Sequence, residues 1–161
     1  MICTEYIYIK ISVHKKLIII FAIDKLIRCE LEKYSKVNIE WTKLRSYNGD
    51  QKNAFEELIC QLARAEEIEG KRKFVRVAAP DAGVEAYCIL DNGEEFGWQA
   101  KFFSSIGDSQ WSQLTKSFET ALSKHPRLTR YYICIPLDRA DARVRGRKSL
   151  LDRWNEKVDD W

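Results

Sequence analysis

At 161 residues the chain has room for one domain of ordinary size and excludes a large multi-domain enzyme. With 45% apolar and 32% charged residues, three prolines and seven glycines, it has the material for a packed core and is neither disordered nor collagen-like. The formal charge of +3 is too small to demand a polyanionic partner; residues 1–38 carry 7 Lys and Arg against 4 Asp and Glu and the remainder 20 against 20, so any nucleic-acid argument rests on local patches.

In chain order, Ile7, Ile9, Ile11 and Val13 alternate with Tyr8, Lys10, Ser12 and His14 as in a half-buried strand. Leu17 to Ile20 suits a short buried strand, and Leu26, Ile27, Leu31 and Tyr34 suit a helix. Residues 1–38 therefore read as a strand-then-helix extension that carries no chemistry. The apolar run Leu17 to Ile23 is far short of the ~20 residues that span a bilayer, and no small-residue cleavage site follows it, so the expectation is a cytoplasmic protein without a membrane partner. The five cysteines, Cys3, Cys29, Cys60, Cys88 and Cys134, form no CxxC pair and are odd in number, which points to buried free thiols in a reducing compartment.

From residue 39 onward the signals sharpen. The turn-rich Ser46-Tyr47-Asn48-Gly49-Asp50 precedes a helix with Phe55, Leu58, Ile59 and Leu62 at i, i+3, i+4 and i+7. Strand-like runs follow at Phe74 to Val77, Val84 to Leu90 and Phe96 to Phe103, the last two separated by Asp91-Asn92-Gly93, a strong hairpin signal. A helix N-capped by Asp108 or Ser109 carries Trp111, Leu114, Phe118, Ala121 and Leu122 and ends near His125-Pro126. Tyr131 to Ile135 is a short buried strand stopped by Pro136, and Ser149 opens a last helix striped with Leu150, Leu151, Trp154, Val158 and Trp161. The order implies an α/β domain over 39–161, a small mixed sheet with a central hairpin flanked by helices.

Period-2 alternation puts Val84, Ala86, Cys88 and Leu90 on one face of the first hairpin strand and Glu85, Tyr87 and Ile89 on the other. On the second strand Phe96, Trp98, Ala100 and Phe102 oppose Gly97, Gln99, Lys101 and Phe103, so Glu85, Gln99 and Lys101 converge. A carboxylate, an amide oxygen and an ammonium brought together suit metal-assisted phosphodiester hydrolysis: the oxygens hold a hard cation, and the lysine offsets charge on the phosphate or orients the attacking water. On the preceding helix Glu56 lies about 20° from Ala63 on the wheel and borders the core, whereas Glu57 points to water. Asp81, four residues before Glu85, is a further candidate ligand. Taken alone, Glu, Gln and Lys on a sheet face are more often a solvated surface.

The constellation resembles the restriction-endonuclease-like PD-(D/E)xK nucleases, with Glu85, Gln99-Ala100-Lys101 and Glu56 at the positions that match the motif. The segments Ala54-Phe55-Glu56-Glu57-Leu58, Pro80-Asp81-Ala82-Gly83-Val84-Glu85-Ala86-Tyr87, Gly97-Trp98-Gln99-Ala100-Lys101-Phe102-Phe103 and Gly107-Asp108-Ser109-Gln110-Trp111 resemble the Mrr-related double-stranded-DNA endonuclease domain of bacterial antiphage effectors. The resemblance implies a restriction-endonuclease-like core and endonuclease cleavage of duplex DNA with low sequence specificity. It further implies dependence on Mg²⁺ (or Mn²⁺), a homo-oligomer, and an NTPase or nucleotide-sensing domain in a longer parent protein. In that frame Glu85, Gln99, Glu56 and Asp81 hold metal, with Glu56 also placed to activate water, and Lys101 stabilises the pentavalent phosphorus.

Two departures bear on activity. Gln99 stands where the general motif has an acid, and a neutral amide oxygen binds Mg²⁺ more weakly than a carboxylate, so charge comes from Glu85, Glu56 and Asp81. Ala82 stands where the branch has glycine, which touches the loop and not the strands. The alternative expectation is a catalytically weakened nuclease fold that serves as a DNA-binding or assembly module. A protein-interaction domain without a nucleic-acid role is the third. Arg139, Arg143, Arg145, Arg147 and Lys148 make the local basic cluster, as suited to a solvated loop as to DNA-phosphate contact. Trp98, Trp111, Trp154 and Trp161 lie on apolar stripes and read as packing.

Overall fold

The structure is a computed structural model that describes residues 9–10, 18–20, 40–78, 83–137 and 148–161. The predicted helix around Leu26 to Tyr34, Asp81 and the four arginines of the basic loop lie outside the described residues. A mixed sheet is built from β1 (Ile9–Lys10), β2 (Ile18–Ile20), β3 (Lys71–Arg76), β4 (Ala86–Leu90), β5 (Glu95–Ala100) and β6 (Leu128–Cys134), in the order β1-β2-β6-β5-β4-β3. The helices are α1 (Gln51–Ala65), α2 (Asp108–Lys124) and α3 (Leu150–Asp160). Strand β4 pairs antiparallel with both β3 and β5, β6 pairs parallel with both β5 and β2, and β1 pairs antiparallel with β2. No helix among the described residues is long and apolar enough to cross a membrane.

Local chemistry sets the element ends. Asp50 caps α1 by accepting the Asn53 N–H at 2.6 Å, and Ser149 caps α3 by accepting from Asp152, whose carboxylate returns to the Ser149 N–H at 2.9 Å. The cap of α2 is Gly107 and not Asp108 or Ser109, with its N–H bonded to Gln110 Oε1 at 3.0 Å. The hairpin closes through Gly93, whose φ of +82° accompanies its N–H bond to Leu90 O at 2.9 Å and pairing of Leu90 with Glu94. The turn residues are thus the predicted ones, in the three-residue form that places its glycine in the left-handed region.

Two apolar clusters lie on either side of the sheet. On the α1 side Phe55, Ile59 and Ala63 meet Cys88, Leu90, Phe96, Trp98, Ala100 and Tyr132, with the Trp98 and Tyr132 rings stacked 5.0 Å apart. On the other side Trp111, Leu114, Phe118, Trp154 and Val158 from α2 and α3 meet Leu128, Tyr131 and Ile133. The tryptophans are packing, as the apolar stripes indicated; Leu122, assigned to the α2 stripe, is instead 40% exposed.

One feature of β4 departs from simple alternation. Val84 packs in the α2–α3 cluster while Cys88, four residues on, faces α1. Period 2 would put both on one face, so the register slips between them. The slip lies at Glu85: its N–H bonds Trp98 O at 2.7 Å, although Trp98 is the register partner of Ala86. Two residues facing one is a β-bulge, which re-aims the side chain it carries. A second irregularity leaves Arg72 without a partner between Lys71, opposite Leu90, and Lys73, opposite Ile89.

Candidate functional site

The end of β3, the start of β4 and the end of β5 come together at one end of the sheet, since Arg76, Ala86 and Trp98 are register partners in turn. The entry to β4 is held from both sides. Gly83 has φ of +78°, and a Cβ there would stand 2.4 Å from Ser117 O and 2.5 Å from Ala121 N, so the chain passes against the α2 backbone at a distance only glycine permits. Tyr131 Oη donates to Gly83 O at 2.7 Å from the other side. Glu85 then spans two strands, accepting from Val77 N–H at 2.9 Å and donating to Trp98 O.

The structure brings Glu85 and Gln99 into direct contact. Gln99 is 0% exposed and Glu85 5%, and Gln99 Nε2 donates to Glu85 Oε1 at 2.5 Å. A buried carboxylate is costly unless it is bonded, and the amide supplies one such bond. Gln99 Oε1 is buried with no hydrogen-bond partner among the described residues. Lys101 lies two residues on, half-buried, with its N–H bonded to Cys134 O at 2.9 Å so that the β5–β6 ladder continues past Ala100. The Phe103 N–H then turns back to Lys101 O at 3.1 Å, so the ladder ends at Lys101, which, next after Ala100, falls on the Gln99 side of the strand.

Helix α1 contributes the second layer. Cys60 Sγ lies 3.9 Å from Glu85 O, which fixes the helix over the start of β4. Burial pushes the Cys60 thiol up to about 11; Arg76 opposes this, and the carboxylates of Glu85, Glu56 and Glu57 add to it. These charges therefore share one neighbourhood. Glu56 is half-buried at the border of the core, as the helical wheel indicates. Glu57, expected to face water, is instead bonded to Arg76, and this contact between α1 and β3 had no local sequence signal because it joins residues 19 positions apart. Lys148, the described member of the basic loop, is exposed and pairs with Glu156 of α3 at 2.6 Å.

Among the described residues no three His, Cys, Asp or Glu side chains gather where they would hold a metal ion. What Glu85 and Gln99 provide is one carboxylate and one partnerless buried amide oxygen. Ions of the Mg²⁺ class take oxygen ligands only and are commonly bound through one or two carboxylates, with substrate and water oxygens completing the shell, so this donor set fits a hard cation and no soft one. Comparison of the chain with protein-family models, with curated proteins and with solved structures gives no match.

Proposed function

We propose that this end of the sheet is a metal-dependent phosphodiesterase site and that the chain is an endonuclease domain acting on duplex DNA, with a restriction-endonuclease-like core. The observation that carries the reading is the buried Glu85–Gln99 contact with its partnerless amide oxygen, two residues before a lysine on the same side of the strand. A fully buried glutamine with an unsatisfied oxygen is disfavoured in a core made only for stability. The motif resemblance supplies the substrate class, the low sequence specificity and the setting in antiphage defence.

In this reading Glu85 and the Gln99 amide oxygen hold Mg²⁺ or Mn²⁺, with Glu56 and Asp81 as further acids. When bound, the ion supplies charge neutralisation at the phosphoryl oxygens and acidifies water. Glu56, at the border of the core, accepts the proton of the attacking water as its oxygen bonds to phosphorus and the P–O bond to the leaving sugar oxygen breaks. Lys101 stabilises the added negative charge on the five-coordinate phosphorus.

The test is cleavage of supercoiled plasmid over a Mg²⁺ and Mn²⁺ series at high protein concentration. The expected result is nicking or linearisation that disappears in both Lys101→Ala and Glu85→Ala. Binding of duplex DNA without metal-dependent cleavage would instead select the weakened DNA-binding or assembly module. That reading is favoured by the absence of a three-acid cluster among the described residues.

A further inference from the structure

Arg76 is the last residue of β3, opposite Ala86 in register, and the residue after it, Val77, bonds the Glu85 carbonyl. Strands β3 and β5 flank β4, so Arg76 and Lys101 belong to the two neighbours of the strand that Glu85 opens. The Arg76 guanidinium is held by an element other than its own: Nη1 donates to Glu57 Oε2 of α1, and the other oxygen of the same carboxylate accepts from Gln61 Nε2 at 2.8 Å. The bonds from Gln61 and Arg76 hold the Glu57 carboxyl below the usual carboxylate range, and the bond to Glu57 pushes Arg76 further up, so the two stay charged together. The arginine side chain is nonetheless 45% exposed against 20% for Glu57.

An exposed ion pair of this kind contributes little to stability. What it does is fix the direction of a guanidinium, whose planar fork of donors suits phosphate. Its Nη1 is committed to Glu57, and the side chain stays 45% exposed at the end of β3, next to Val77, which bonds the Glu85 carbonyl. An unbraced arginine at this place would lose more side-chain entropy on gripping a ligand.

We propose that Arg76 is a DNA-phosphate contact of this site and Glu57 its positioning residue, an inference that rests on the nuclease reading above. Arg76 takes a phosphate of the duplex backbone beside the one being cut, and so carries affinity without base specificity.

The test is binding of a fluorescein-labelled DNA duplex to the full chain by anisotropy, in EDTA so that nothing is cleaved, from about 50 to about 200 mM NaCl. Arg76→Ala is expected to weaken binding about fivefold to tenfold and to reduce the magnitude of the log K against log[salt] slope by roughly one. Arg76→Lys, which keeps the charge and loses the fork, is expected to restore the slope and only part of the affinity. A slope unchanged in Arg76→Ala, with Arg76→Ala and Glu57→Gln lowering the melting temperature alike, would make the pair a surface brace and overturn the inference. Plasmid cleavage separates the two readings: wild-type cleavage with an unchanged slope in Arg76→Ala removes this inference and leaves the nuclease, whereas binding that loses slope without any cleavage removes the nuclease and leaves the phosphate contact. No salt-dependent binding by the wild type removes both.

Discussion

Replacing Gln99 by glutamate turns the contact at the centre of the site into a measurable quantity. The change keeps size and shape but removes the Nε2 donor that Glu85 accepts at 2.5 Å, and a lost hydrogen bond to a charged group costs about 1.5–3 kcal/mol. If both carboxyls were ionised at roughly 3 Å, their repulsion at an effective dielectric of about 20 would be near 5 kcal/mol. The new side chain avoids this by keeping its proton and donating it to Glu85, which raises its pKa in the folded state above the ordinary glutamate value of about 4.3. The native state then binds a proton that the unfolded state releases, so stability relative to wild type falls as pH rises above about 4.3, by at most about 1.4 kcal/mol per pH unit, until the raised pKa is passed.

Thermal melts of both proteins in EDTA are the assay. The variant is expected to lie near wild type at about pH 5 and some 10 °C or more below it at about pH 8, from about 2–4 °C per kcal/mol for a chain of this size. Addition of Mg²⁺ or Mn²⁺ at the higher pH is expected to recover most of the loss, because a cation between two carboxylates reverses the sign of the interaction. A melting difference that is flat with pH in EDTA would mean that the new carboxyl does not meet Glu85, and would refute the contact on which the site is built.

Gly83→Ala is expected to destabilise by more than the ~1–2 kcal/mol of a left-handed alanine, because the added Cβ meets α2 backbone atoms at 2.4 and 2.5 Å; a denaturant midpoint within error of wild type would contradict the packing. Ser149→Ala is expected to cost about 1 kcal/mol through loss of the α3 cap, read as a shift in urea midpoint at constant slope. The carboxyls of Asp152 and Glu57 are both held below their ordinary values, by bonds from Ser149 and by bonds from Gln61 and Arg76 respectively, so their contribution is present above about pH 4.5 and is lost as pH falls through the depressed values. Ser149→Ala should accordingly cost less at about pH 3 than at about pH 7. Burial pushes the Cys60 and Cys88 thiols up to about 11 and raises Cys134 as well, so peptide mapping after brief alkylation of the native protein at about pH 8 should find all three unmodified, and prompt labelling would place them at the surface instead.

Helical stripes and the Asn92-Gly93 signal were legible because each is a local pattern that tertiary packing reinforces: Phe55 and Ile59 do face the sheet, and the hairpin does close at the glycine. The convergence of Glu85 with Gln99 was legible in outline for the same reason. The route by which Glu85 arrives was not. A bulge leaves no mark in an alternating run, so alternation alone puts Val84 with Cys88, whereas it packs on the opposite side of the sheet. The Glu57–Arg76 bond was illegible because a helical wheel measures a residue only against its own helix, and the partner is the end of a strand that passes beside it. The same blindness to remote partners hid the anchoring of Gly83, since the residues that meet it, Ser117, Ala121 and Tyr131, all lie more than 30 positions away.

Strand β3 is the outer strand of the sheet beside β4, and its length bears on how copies of this chain could assemble. An open strand edge is the usual place for one chain to extend another's sheet. Here the row is interrupted by the extra residue at Arg72 and carries Lys71, Arg72, Lys73 and Arg76 within six positions, so a second copy laid against it would set like charges side by side and meet a broken ladder. Self-association through that margin is thereby disfavoured, and copies of this chain would meet through other surfaces, which would leave the cationic strand β3 uncovered and open to a long polyanion.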